Sequence, residues 1–87
     1  MTGDADILAP ARPFLEHLEV ERRASPHTLD AYRRDLTALC AWAGKEGADP
    51  VTLDGARIRA FIAAEHRRGL SPSSLQRRLS ACRGWYR

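Results

Sequence analysis

Two arginines, Arg34 and Arg77, each lie one or two helical turns downstream of a serine-proline pair, Ser25-Pro26 and Ser71-Pro72. His27, Thr28 and Ala31 accompany the first, and Ser73, Ser74 and Arg78 surround the second, with Arg83 further on. These residue types suit anion binding. A guanidinium donates two parallel hydrogen bonds to phosphate or to a guanine edge, and a hydroxyl in the first turn of a helix adds to N–H groups that already carry partial positive charge. Ser25 and Ser71 read as helix caps. Thr28 and Ser74, at the third helical position, read either as first-turn residues or as phosphate ligands.

Catalytic patterns are missing from the sequence. It contains no GxSxG, no HExxH and no phosphate-binding glycine loop, and its three histidines, His17, His27 and His66, have no spacing that would gather a metal. Catalytic residues, metal ligands and cofactors are therefore assigned to none. Cys40 and Cys82 form no CxxC and fall on apolar stripes, so both read as buried thiols. Tyr32 and Tyr86 read as core aromatics, and Glu16-His17 as a solvated pair.

Four helices are expected to carry these residues. Residues 1 to 9 lack a period and read, with Pro10, as a flexible tail. A first helix from about Arg12 to Arg23 buries Phe14, Leu15 and Leu18. Ser25-Pro26 opens a second, because the hydroxyl accepts a first-turn N–H and proline's φ is already helical. Leu29, Tyr32, Leu36, Leu39 and Ala43 follow at helical spacing up to an expected stop at Gly44. Residues 45 to 50 read as loop. Asp54 caps a third helix burying Ile58, Phe61 and Ile62, which stops at Gly69, with Leu70 packing back over its end. Ser71-Pro72 opens the fourth, with Leu75, Leu79, Cys82 and Tyr86 inward. Its amphipathic pattern is still running at Arg87, which suggests an excised domain or the first part of a longer chain. The similarity of residues 25–29 to 71–75 suggests two helical hairpins in approximate two-fold relation.

A turn of about 100° per residue identifies the outward faces. The second helix turns out His27, Asp30, Ala31, Arg34 and Ala38; the fourth turns out Ser73, Ser74, Arg77, Ser80 and Gly84. Both combine first-turn polar side chains, an arginine and small residues that permit close approach to another surface.

Composition agrees with a polyanion as partner. Eighty-seven residues make one domain, and 44% hydrophobic with 29% charged residues describes a globular chain. Residues 1 to 21 carry five acids against one arginine, net −4, whereas residues 22 to 87 carry thirteen bases against six acids, net +7. After Glu65 there are six arginines and no acid. The longest apolar runs are far too short for a membrane span, and the acidic N-terminus is unlike a signal peptide, so a cytoplasmic location is expected.

Three runs together are specific: Phe14-Leu15 through Leu18-Glu19-Val20-Glu21-Arg22; Ala24-Ser25-Pro26-His27-Thr28-Leu29 through Ala31-Tyr32-Arg33-Arg34-Asp35-Leu36; and Gly69-Leu70-Ser71-Pro72 through Leu75, Arg77-Arg78-Leu79-Ser80-Ala81 and Trp85-Tyr86-Arg87. The chain resembles, over nearly its whole length, the N-terminal core-binding domain of Xer-type tyrosine recombinases. The resemblance implies an all-α, compact four-helix SAM-like domain spanning residues 11–87, one half of a clamp around double-stranded DNA. The DNA-binding positions it implies are His27, Thr28, Ala31 and Arg34 on the second helix and Ser73, Ser74 and Arg77 on the fourth, with Arg78 and Arg83 in support. It further implies a dif-like recombination site, a XerD-like partner recombinase in a heterotetramer, and a role in chromosome dimer resolution. The family's nucleophilic tyrosine belongs to a C-terminal catalytic domain, so Tyr86 is not that residue and this chain is expected to be catalytically inert. No membrane or small-molecule substrate is expected.

Two positions depart from the family pattern. Cys82 replaces a frequent leucine, and Gly84 interrupts the fourth helix at about 1 kcal/mol of propensity, which is expected to loosen its last turn. The competing readings are a phage- or integron-type integrase core-binding domain, and a helical protein-interaction module whose basic face docks an acidic partner.

Overall fold

The structure, a computed structural model, describes residues 7–86. Four α-helices and two short 3-10 turns follow Ile7 and Leu8, which are themselves helical. The first helix, α1 (Arg12–Val20), follows a 3-10 turn at Ala9–Ala11. Leu8 and Ala11 are buried in the core, so the expected tail is corrected from residue 7 onward; residues 1–6 of it lie outside the described residues. Ile7 and Leu8 are too few to show a period, which is why they read as tail.

Helix α1 ends at Val20, short of the expected Arg23. Ser25 must be extended ahead of Pro26, and it adopts φ −67° and ψ 156°. The helix itself closes earlier, through Arg23 at φ 51°, where the Ala24 N–H donates to the Leu18 carbonyl at 3.0 Å. Helix α2 (Pro26–Lys45) then starts at the predicted place, with the Thr28 N–H donating to Ser25 Oγ at 3.1 Å. Its end is corrected: Gly44 stays helical, and Gly47, at φ 71°, makes the left-handed turn while the Ala48 N–H closes on the Ala43 carbonyl at 2.8 Å.

Asp49 caps a 3-10 turn at Pro50–Thr52, and Asp54 caps α3 (Gly55–Arg67), accepting the Arg57 N–H at 2.8 Å. At the far end Gly69 has φ 98°, and the Leu70 N–H returns to the Glu65 carbonyl at 3.2 Å, so the expected stop is found. Helix α4 (Pro72–Trp85) is headed by Ser71 with the same φ and ψ as Ser25, and Ser71 Oγ accepts the Ser74 N–H at 3.3 Å. The all-α architecture expected from the sequence is the one observed.

The core joins all four helices through Leu15, Leu36, Leu39, Phe61, Ala81 and Cys82. Trp42 lies tilted against Phe61, ring centroids 5.7 Å apart. Both cysteines are buried, and desolvation pushes the thiol of Cys40 up to about 11 and that of Cys82 to about 12. The Tyr86 hydroxyl donates to the Pro50 carbonyl, tying the end of α4 to the turn before α3. Burial raises that phenol above its ordinary range.

Gly84 was expected on the outward face, in a weakened last turn. Instead it lies beneath Phe14: a Cβ here would come within 3.0 Å of Phe14 Cζ, and α4 continues through it to Trp85. The missing side chain lets α1 close on α4.

Candidate nucleic-acid interface

Helices α2 and α4 pack against one another and set the geometry of the proposed interface. On α2, His27, Thr28 and Arg34 are exposed and Ala31 is half-buried. Ser25 Oγ donates to Thr28 Oγ1 at 3.1 Å, which leaves the Thr28 hydroxyl hydrogen to be given elsewhere. The Arg34 side chain takes no hydrogen bond or ion pair with the other described residues. It lines a shallow depression with Ala38 and Ala41, beside Arg33, which is paired with Asp30 at 2.9 Å. On α4, Ser73, Ser80 and Arg83 are exposed and Ser74 is half-buried.

The two adjacent arginines of α4 have different surroundings. Arg77 keeps 34% of its side chain exposed and forks onto Asp35 of α2: Nε donates to Oδ2 and Nη2 to Oδ1, both at 2.8 Å. These hydrogen bonds raise the guanidinium's pKa further above its ordinary value. Arg78, expected among the DNA contacts, is 8% exposed, and its placement is a correction to the expected surface position. Its Nε donates to Asp35 Oδ1 at 3.0 Å, and its Nη1 donates to Glu65 Oε1 of α3. Glu65 Oε2 in turn accepts from the largely exposed Arg68 at 2.8 Å. The result is an alternating chain, Arg77–Asp35–Arg78–Glu65–Arg68, that links three helices through a fully buried aspartate.

Such a chain is held by reciprocity. Taking a carboxylate out of water costs several kcal/mol, and Asp35 recovers this with three charge-assisted bonds. No buried side-chain nitrogen or oxygen among the described residues lacks a partner. The chain also moderates the positive field, since two of the six arginines after Glu65 bond to Asp35 and Arg78 shares Glu65 with a third.

Sequence reasoning missed Asp35 and Glu65 as organisers, although a signal existed. Asp35 lies three residues after Tyr32 and four before Leu39, Glu65 four after Phe61, and Arg78 three after Leu75 and four before Cys82. All three therefore occupy positions on apolar stripes, where a charged side chain requires a partner.

A second grouping is a cleft of about 860 Å³ between α1, the start of α2 and the last turns of α4. Thr28, Ser80 and Arg83 share it with Arg22 and His17, over the rings of Phe14 and Trp85, and among the described residues no carboxylate lines it. The structure thus brings Thr28 and Arg83 to one cleft and seats Arg77 on Asp35. Arg34 is set apart, about 100° around α2 from Asp35. Among the described residues no cluster of three or more His, Cys, Asp or Glu side chains has the arrangement to hold a metal ion, and no helix is long and apolar enough to cross a membrane.

The family model for the phage integrase N-terminal SAM-like domain matches residues 11–87. The chain belongs to this family. It is 62% identical over 85 residues to a tyrosine recombinase XerC of Xanthomonas campestris, covering 97% of this chain and 26% of that protein. A XerC of Xylella fastidiosa is 62% identical over 74 residues, covering 84% of this chain and 25% of the relative. The corresponding protein of Azotobacter vinelandii is 52% identical over 75 residues, covering 85% and 25%. The chain thus spans about a quarter of the length of these relatives and corresponds to one of their domains. No solved structure matches it.

Proposed function

We propose that this domain grips double-stranded DNA as the core-binding half of the clamp of a XerC-like site-specific tyrosine recombinase. Its site is of the dif type, its partner a XerD-like recombinase in a heterotetramer, and its setting the cytoplasm, where the pair resolves chromosome dimers. The observation that carries this reading is the 62% identity, over 97% of the chain, to a protein named tyrosine recombinase XerC. Strand cleavage falls to the part of such a protein that this chain does not cover.

The side chains supply a physical route. Arg34 on α2 and the outward edge of Arg77 on α4 address phosphates or base edges in the major groove. Thr28, Arg83 and Arg22 give the cleft a cationic, hydroxyl-bearing wall for the sugar-phosphate backbone, with His27, Ser73 and Ser74 at the helix starts. Ala31 lets α2 approach closely. Arg78 acts from inside, by holding Asp35.

A mobility-shift titration tests this, using a dif-type duplex and a scrambled duplex at two salt concentrations. Binding is expected to both, tighter to the dif-type sequence, with affinity falling steeply with salt by a log–log slope of about −0.9 per phosphate neutralised. Arg34→Ala and Arg77→Ala should each weaken it. Absence of retardation at the lower salt concentration, or unchanged binding by both variants, refutes the reading.

A further inference from the structure

We propose that Asp35 is a positioning residue for DNA recognition: it fixes the Arg77 guanidinium so that one particular edge, Nη1–Nη2, is presented to the duplex. This rests on the DNA-binding reading above and adds to it a buried residue that touches no DNA.

A guanidinium has five N–H donors in one plane. Asp35 takes Nε–H and one hydrogen of Nη2, through separate carboxylate oxygens at 2.8 Å each, which sets the plane as well as the position of the group. Of the three remaining hydrogens, one on each Nη forms the Nη1–Nη2 edge, and the third, on Nη1, points back toward Cδ. That edge makes an end-on two-point contact with a phosphate or with O6 and N7 of guanine. Asp35 cannot swing to follow a mobile arginine. It is fully buried, and Arg78 Nε holds its Oδ1 at 3.0 Å while Glu65, itself almost fully buried, holds the other end of Arg78. Arg77 is therefore restrained before any ligand arrives, and the ordering cost of a long side chain at an interface is reduced in advance. Arg34, with no such partner, is a point of contrast on the neighbouring helix.

The test is a double-mutant cycle on the 87-residue chain, read by fluorescence anisotropy against labelled dif-type and scrambled duplexes. Far-UV circular dichroism fixes a temperature at which each variant is folded. Asp35→Asn keeps the shape but puts an amide N–H₂ or a neutral oxygen opposite Arg77; it should weaken binding about 2- to 10-fold. In an Arg77→Ala background the same change should alter affinity less than about 2-fold, because its effect passes through Arg77. Arg77→Lys keeps the charge and loses the forked edge, so it should bind about as poorly as Arg77→Ala while retaining more of the salt dependence. If the edge reads guanine, the loss appears on the dif-type duplex alone; if it holds phosphate, on both.

Equal losses from Asp35→Asn with and without Arg77 would overturn the positioning role and leave DNA binding by Arg77 standing. Wild-type affinity of Arg77→Lys would do the same, and this variant keeps the buried aspartate intact should Asp35→Asn fail to fold. Wild-type affinity of Arg77→Ala would remove Arg77 from the interface altogether.

Discussion

Helices α2 and α4 start alike and diverge after their first turns. Ser25 and Ser71 share φ −67° and ψ 156°, each is followed by proline, and each accepts the N–H of the residue three places on. Beyond that point, α2 places Asp35 toward α4 and leaves Arg34 outside, whereas α4 places Arg78 inside and Arg77 astride the seam. One helix supplies the buried acid and the other the buried base. Similar capping chemistry therefore says where a helix begins but not what it does electrostatically. The two arginines that look equivalent along the sequence differ because only one has a fixed carboxylate opposite it.

The comparison breaks most sharply at its buried pair. Arg78→Met should destabilise the domain by about 3–5 kcal/mol, because Asp35 and Glu65 both lose a donor while remaining out of water. A fall in the urea midpoint of matching size is the expected result, and a neutral outcome would mean that the seam is not held by charge.

The thiols test the same two helices by pH. Cys40 on α2 and Cys82 on α4 are raised from 9.0 to about 11 and about 12, so the folded state retains protons that the unfolded state releases. Their stabilising contribution is complete below about pH 9 and is lost as pH rises, for Cys40 up to about 11 and for Cys82 up to about 12. By about pH 10 each should cost roughly 1 kcal/mol, measured as a lower melting temperature. Cys82→Ala should flatten the dependence over a wider span of pH than Cys40→Ala.

Where the helices are alike, the effects should be alike. Ser25→Ala and Ser71→Ala should each destabilise by about 1 kcal/mol, as removal of an N-cap does. A difference greater than about 0.5 kcal/mol in chemical denaturation would show that the two starts are not equivalent. The smallest effect is expected at Arg34→Ala, within about 0.5 kcal/mol in the same denaturation, since the residue is exposed and supports no other described side chain.

Helix starts were legible because Ser25-Pro26, Asp54 and Ser71-Pro72 act locally, through a side-chain oxygen three residues from its donor. Helix ends were less so. Gly44 and Gly47 are both suitable left-handed residues, and the choice between them depends on closure by the Ala48 N–H; Arg23 turns left-handed although its residue type gives no sign of it. Gly84 looked like a weakness because its reason, the Phe14 ring, lies 70 positions away in sequence. Of the candidate site, helical geometry gave the exposure of Arg34, Ser73 and Ser80. It could not give the bonds of Arg77, whose partner is 42 positions distant.

The burial of the three middle members of the ion chain has a practical consequence. Mobile ions screen charges that face the solvent far more than charges shielded within the fold, so conditions that strip a polyanion from the outer guanidinium groups should leave Asp35, Arg78 and Glu65 joined. The domain should therefore elute from a heparin column in concentrated sodium chloride with its helices still assembled, ready to bind again after simple dilution.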